Sequence, residues 1–118
     1  MYHIIFVCKY RKKLLMRYGD FIKSYFEYLS SVSNFDIIKM EVDKDHIHLL
    51  IRSEPKISVL QIVNRLKQMS TIAIWKTYLG ELSKHFWKEH TFWSDGYFVC
   101  SIGNVSKETV ERYIRNQG

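Results

Sequence analysis

Residues 46–52, His-Ile-His-Leu-Leu-Ile-Arg, constrain this chain more than any other stretch. Read with a period of two, a strand here puts His46, His48, Leu50 and Arg52 on one face. Ile47, Leu49 and Ile51 then point the other way, into a core. The strand must therefore sit in a sheet with one covered face, the other face carrying two imidazoles. A polar turn, Asp43-Lys44-Asp45, delivers both rings at the strand's start, where a site stays open. Two imidazoles one residue apart on one face are within reach of a shared metal ion. They are equally compatible with two half-buried histidines at a strand edge, and a His-x-His triplet among 5 histidines does not choose. The choice needs a third ligand and a reacting group elsewhere.

With 118 residues the chain reads as one domain, 1–118, able to bury about two thirds of its unfolded surface without disulfides or structural metal. The 18 Lys and Arg against 12 Asp and Glu give a net charge of +6, which points to a polyanionic partner: nucleic acid or an acidic membrane surface. Cys8 and Cys100 lie in apolar strand-like runs and read as small core residues of a reducing compartment. No apolar run reaches the ~18 residues of a membrane span. The first apolar run is too short for a signal peptide before Lys9, Arg11, Lys12 and Lys13 follow. A soluble cytoplasmic protein with no membrane partner is expected.

Tyr2 to Tyr10 is β-rich and apolar on both faces over His3 to Cys8, as in a central strand. It runs into Lys9-Tyr10-Arg11-Lys12-Lys13, either a solvated loop or a phosphate-contacting rim with Tyr10 free to stack on a base; the net charge favours the rim. Asp20 can cap a helix to about Ser33, with Phe21, Ile22, Tyr25, Phe26, Leu29 and Val32 as its core stripe. Phe35 to Val42 reads as a strand with Ile38, Met40 and Val42 on one face and Ile37, Lys39 and Glu41 on the other. It joins the histidine strand as a hairpin.

Ser58-x-x-Gln61 is a capping box opening a helix that carries Ile62, Val63, Leu66, Met69, Ala73 and Trp75 and stops near Gly80. Arg65, Lys67 and Lys76 are expected on its outside. Glu81 to Asp95 mixes Phe86, Trp87, Phe92 and Trp93 with basic residues and suits a loop with a short helix or strand. Half its aromatics are expected to be core anchors and the rest available to single-stranded nucleic acid. Tyr97 to Ile102 is a last strand, Gly103-Asn104 a turn, and Ser106 to about Gln117 a terminal helix. The order strand-helix-strand-strand-helix-strand is that of an α+β, ferredoxin-like split βαβ fold. An antiparallel sheet would have both helices on one face and the terminal helix free to lie elsewhere.

On that terminal helix Val110, Tyr113, Ile114 and Gln117 share a face, with Glu111, Arg112, Arg115 and Asn116 opposite. This is a packing stripe that happens to hold a tyrosine, or a catalytic face. Gln117 favours the second, because an amide pointed into a pure core leaves four hydrogen-bonding sites to satisfy, whereas its carbonyl is a reasonable hard metal ligand.

His46-Ile47-His48 resembles the His-hydrophobe-His signature of HUH nucleases. Tyr113-Ile114-Arg115-Asn116-Gln117 resembles the tyrosine helix of the single-tyrosine transposases of the smallest insertion sequences (the insertion sequence 200/605-like family). The likeness runs over nearly the whole chain, through Lys9-Tyr10-Arg11-Lys12, Asp43-Lys44-Asp45 and Trp93 to Gly103. It implies a DNA transposase that cuts and rejoins single-stranded DNA at hairpin-marked ends. His46, His48 and Gln117 would be metal ligands and Tyr113 the nucleophile. The partners would be hairpin DNA and a second copy of the chain, in a homodimer whose sites combine the histidines of one subunit with the tyrosine helix of the same subunit or of the other. Lys9, Tyr10, Arg11, Lys12, Lys13 and Arg112 are the expected DNA contacts.

The chemistry is consistent. A phenol with a pKa near ~10 needs activation to attack a phosphate. A divalent cation held by two imidazoles and one amide keeps open positions, which suits Mg²⁺ or Mn²⁺ better than closed structural zinc. The chain ends one residue after Gln117, which places that amide near a fraying terminus. Two other readings stay open: an inactive or domesticated relative that binds structured nucleic acid without cutting it, and a metal-dependent hydrolase that uses water.

Overall fold

The structure, a computed structural model, describes residues 1–101, 112 and 114–116. Its elements are β1 (Tyr2–Val7), α1 (Leu15–Ser31), β2 (Phe35–Val42), β3 (His46–Ser53), α2 (Val59–Leu82) and β4 (Phe98–Ser101). The sheet order is β2-β3-β1-β4 with every neighbouring pair antiparallel. Each helix thus crosses between strands with one strand inserted between them, the ferredoxin-like split βαβ arrangement expected from the element order.

The alternation in β3 decides which face is covered. Ile47, Leu49 and Ile51 are fully buried and join Ile4 and Phe6 of β1 under Ile22, Phe26 and Leu29 of α1 and Ile62, Val63 and Leu66 of α2. The other face carries His3, Ile5 and Val7, paired across the ladder with Leu50, His48 and His46. Cys8 is free and buried, and burial pushes its thiol pKa up, as suits a core residue.

Several sequence expectations are corrected. The first strand ends at Val7, and Lys9–Arg11 form a 3-10 turn in which Tyr10 (φ 59°) and Arg11 (φ 53°) are left-handed, a costly conformation for residues with side chains. Helix α1 starts at Leu15, not at Asp20. Its first turn is held by the buried Leu14, Leu15 and Tyr18 and by a bond from Leu15 N–H to the carbonyl of Lys44, so tertiary contact replaces a side-chain cap. Gly19 sits inside this helix because β2 comes close: a Cβ there would lie 3.1 Å from Val42 Cγ1.

In β2 an irregularity between Ile37 and Lys39 changes the parity of the strand. Ile37 therefore joins Met40 and Val42 against the core, and Ile38 is turned outward. Helix α2 opens on the expected capping box, Ser58 Oγ accepting from Gln61 N–H and Gln61 Oε1 from Ser58 N–H. It runs to Leu82 past a kink at Tyr78, and its buried stripe passes through Ser70 and Ile74 where Met69 and Ala73 were expected. Ser70 Oγ is needed there to accept from the indole of the buried Trp93 at 3.0 Å.

Lys67 is not a solvated charge. Its ammonium donates to the carbonyls of Ser94 and Gly96, both at 2.7 Å, and lies 5.4 Å above the Phe6 ring. Burial pulls its pKa down to about 8. These bonds pin the 83–97 segment to α2, and a bridge between Cys8 and Trp93 ties it to the end of β1. Phe86, Phe92 and Trp93 are core anchors, while Trp87 is 84% exposed. The expected turn at Gly103-Asn104 and most of the terminal helix lie outside the described residues. Arg112, Ile114 and Arg115 are helical, and Asn116 N–H donates to the Arg112 carbonyl.

Candidate metal centre and nucleic-acid interface

The period of two in β3 brings His46 and His48 side by side with ring centroids 5.0 Å apart, 65° between the planes. The turn ahead of them is held by hydrogen bonds. Asp43 N–H donates to the His46 carbonyl, Lys44 N–H to Asp43 Oδ1, and Cys8 N–H to the Asp45 carbonyl, so the end of β1 holds the entry to β3.

Asp45 then reaches the first ring. Its Oδ1 lies 2.8 Å from His46 Nδ1, and its Oδ2 accepts from Arg11 Nε at 3.2 Å. Burial opposes the charge on Asp45, but the hydrogen bonds from His46 and Arg11 outweigh it and hold the carboxyl below its usual range. An ionised carboxylate only accepts, so the His46 proton is on Nδ1 and a neutral His46 carries its lone pair on Nε2. The left-handed turn at Tyr10 and Arg11 is what aims this guanidinium at Asp45. Arg11, expected among the DNA contacts, is thus placed on the site's own carboxylate.

His48 is likewise partly buried. Burial, with lesser contributions from His46 and His3, pulls its pKa down to about 4, so it is neutral at physiological pH. Its Nδ1 lies 3.1 Å from Nε2 of His3 on β1, and Glu41 faces it from β2. Neither His3 nor the Arg11–Asp45 contact was legible as part of a site. The alternation of β1 gives a face for His3, but only the pairing register places that face beside His48.

As donors, two neutral imidazoles fit a divalent ion of borderline softness. Among the described residues no group of three His, Cys, Asp or Glu is placed to hold a metal. Tyr113 and Gln117 lie outside the described residues. Their neighbour Ile114 does not: it is 8% exposed and packs with Phe98 on Ile5 and Val7. These two are the ladder partners of His48 and His46. Ile114 therefore sits on the histidine face of the sheet, opposite α1 and α2.

The basic segment lines an adjoining edge. Lys9 pairs with Asp95 at 3.5 Å, Tyr10 is half-exposed and its hydroxyl donates to Glu89 at 3.2 Å, and Lys12 lies over the Phe86 ring. Lys13 and Arg112 are exposed. The Lys88 ammonium sits 5.5 Å from the Trp87 ring, so the exposed indole is flanked by positive charge.

The sequence profile described as "Transposase IS200 like" matches residues 1–117. The chain belongs to the IS200-like transposase family. It is 33% identical over 120 residues to the transposase of insertion sequence element IS200 from Salmonella typhimurium, covering 98% of this chain and 75% of that protein. Its identity to the ISDra2 transposase TnpA of Deinococcus radiodurans is 26% over 117 residues, covering 98% and 82%. The fold is shared with a solved structure of a candidate transposase from Deinococcus radiodurans R1, at a TM-score of 0.87 and 25% identity, over 98% of this chain and 88% of that one. As an IS200-like transposase the protein is a DNA-processing enzyme. Among the described residues, no helix is long and apolar enough to cross a membrane.

Proposed function

We propose that this transposase cuts and rejoins single-stranded DNA at hairpin-marked element ends through a phosphotyrosine intermediate on Tyr113. The observation that carries the reading is the seat of Ile114 on Ile5 and Val7, across the ladder from His48 and His46. Tyr113 is the sequence neighbour of Ile114, which supports a reading in which its phenol serves the histidine face, in its own subunit or a partner's.

His46 and His48 would hold Mg²⁺ or Mn²⁺ through Nε2, with Gln117 as third ligand; when bound, the ion would polarise the scissile phosphate and stabilise charge in the transition state. Tyr113 attacks phosphorus, its proton passing to solvent. The bond to the 3′ oxygen breaks, and that oxygen takes up a proton. The products are a 5′-phosphotyrosine and a free 3′-OH, and attack by another strand's 3′-OH reverses the step without ATP. Lys9, Lys12, Lys13 and Arg112 would contact phosphates while Tyr10 stacks on a base. A homodimer, its sites formed within one subunit or across two, and a cytoplasmic location complete the reading.

The test is incubation with labelled hairpin-bearing single-stranded DNA and Mn²⁺, followed by denaturing electrophoresis. A covalent adduct is expected, and Tyr113→Phe should abolish it. Cleavage without an adduct would mean that water is the nucleophile. Tight binding without cleavage would mean that the chain is a binding module.

A further inference from the structure

The histidine face holds a third imidazole, which has no role in the reading above. His3 comes from β1, paired with Leu50 in the ladder, and its Nε2 lies 3.1 Å from Nδ1 of His48. The ring centroids are 5.2 Å apart and the planes tilted by 32°, so the two rings meet through these nitrogens. Two ring nitrogens this close share a single hydrogen-bonding proton, and its owner decides what the far side of His48 can do.

A neutral imidazole has one N–H and one lone pair. If His3 donates, His48 must keep its own proton on Nε2, and that nitrogen has no lone pair for an ion. If His48 donates, its Nε2 is free. The second state is the one Asp45 imposes on His46 from the other side. One strand would then offer the same nitrogen of both rings, each fixed through Nδ1 by a residue that is not itself a ligand. This matches the general use of outer partners to set ring tautomer and orientation at metal sites.

We infer that His3 is a positioning residue that accepts the Nδ1–H of His48 and so presents the Nε2 lone pair of His48 to the ion shared with His46. His3 consequently carries its own proton on Nδ1. The inference rests on the reading of His46 and His48 as metal ligands, but its first test does not require metal.

Long-range ¹⁵N–¹H spectra of the metal-free, histidine-labelled protein at pH 7.5 report each ring's tautomer. The Nδ1–H form is expected for His48, as for His46, and an Nε2–H form for His48 would overturn the inference. Calorimetric titration with Mn²⁺ then compares variants. His3→Phe should weaken binding at least about tenfold, and His3→Gln, whose side-chain oxygen can accept the same proton, should recover most of it. Unchanged affinity in His3→Phe would remove the positioning role. A loss as complete as in His46→Ala would make His3 a ligand and also overturn it. Absence of Mn²⁺ binding by the wild-type protein would sink the metal reading, leaving the tautomer to be judged by the spectra alone. Should His3→Phe fail to fold, the wild-type spectrum still decides.

Discussion

Asp45 Oδ1 lies 2.8 Å from His46 Nδ1, with Arg11 Nε 3.2 Å from the other carboxylate oxygen. One acidic side chain therefore fixes a ring tautomer and anchors a strained basic turn. Asp45→Ala should weaken Mn²⁺ binding by roughly 10- to 100-fold, the usual cost of losing an outer partner of a ligating histidine. Isothermal calorimetry on the folded variant checks this. An unchanged dissociation constant would reduce Asp45 to a turn residue.

Ile114 tests the seat of the last helix. A carboxylate placed against Ile5, Val7 and Phe98 cannot stay buried unpaired, so Ile114→Asp should lift the helix while the remaining sheet face keeps its own packing. Strand cleavage should fall more than about 100-fold, as expected when a nucleophile loses its position. Hairpin affinity, measured by fluorescence anisotropy, should change much less. Full cleavage activity in this variant would remove the observation on which the tyrosine mechanism rests.

His48 gives the protein a pH dependence of stability whose sign is fixed. Its folded-state pKa is about 4 and its ordinary value is 6.5. Below 6.5 the unfolded chain takes up a proton that the folded chain refuses, so the unfolded state gains. The contribution is complete above pH 6.5 and disappears as pH falls toward 4. His3, shifted in the same direction by burial, adds to it. Urea unfolding at pH 7.5, 6 and 4.5 should show the metal-free wild type losing stability faster than His48→Gln. Parallel curves would contradict the assigned shift.

The exposed indole of Trp87 makes the clearest claim about DNA. It is 84% accessible with Lys88 beside it, so truncation removes little packing. Trp87→Ala should weaken hairpin binding by about 5- to 150-fold, the range of one lost base stack, and leave the melting temperature nearly unchanged. Equal affinity would place the nucleic acid elsewhere.

Sequence reading worked where one periodicity faced one environment. β3 alternates cleanly because one of its faces is core, and the Ser58–Gln61 box announces α2 because cap and partner are neighbours in sequence. It failed where distant contacts decide. The start of α1 depends on Lys44, the stripe of α2 on the indole of Trp93, and the burial of Lys67 on carbonyls at Ser94 and Gly96. At the site, the two histidines were legible. His3 and Arg11 were not, since their roles exist only through strand register and a left-handed turn. The roles expected of Tyr113 and Gln117 fall outside the described residues.

The irregularity at Ile38 has a further consequence for how the molecule behaves in company. β2 is an outer strand of the sheet, eight residues long, a border on which another polypeptide could crystallise its own backbone. One surplus residue interrupts the even spacing of that border and sharpens its local twist. Removing Ile38 would preserve the inward set of Phe35, Ile37, Met40 and Val42 while straightening the rim. The shortened protein should still fold but clump at concentrations the parent tolerates.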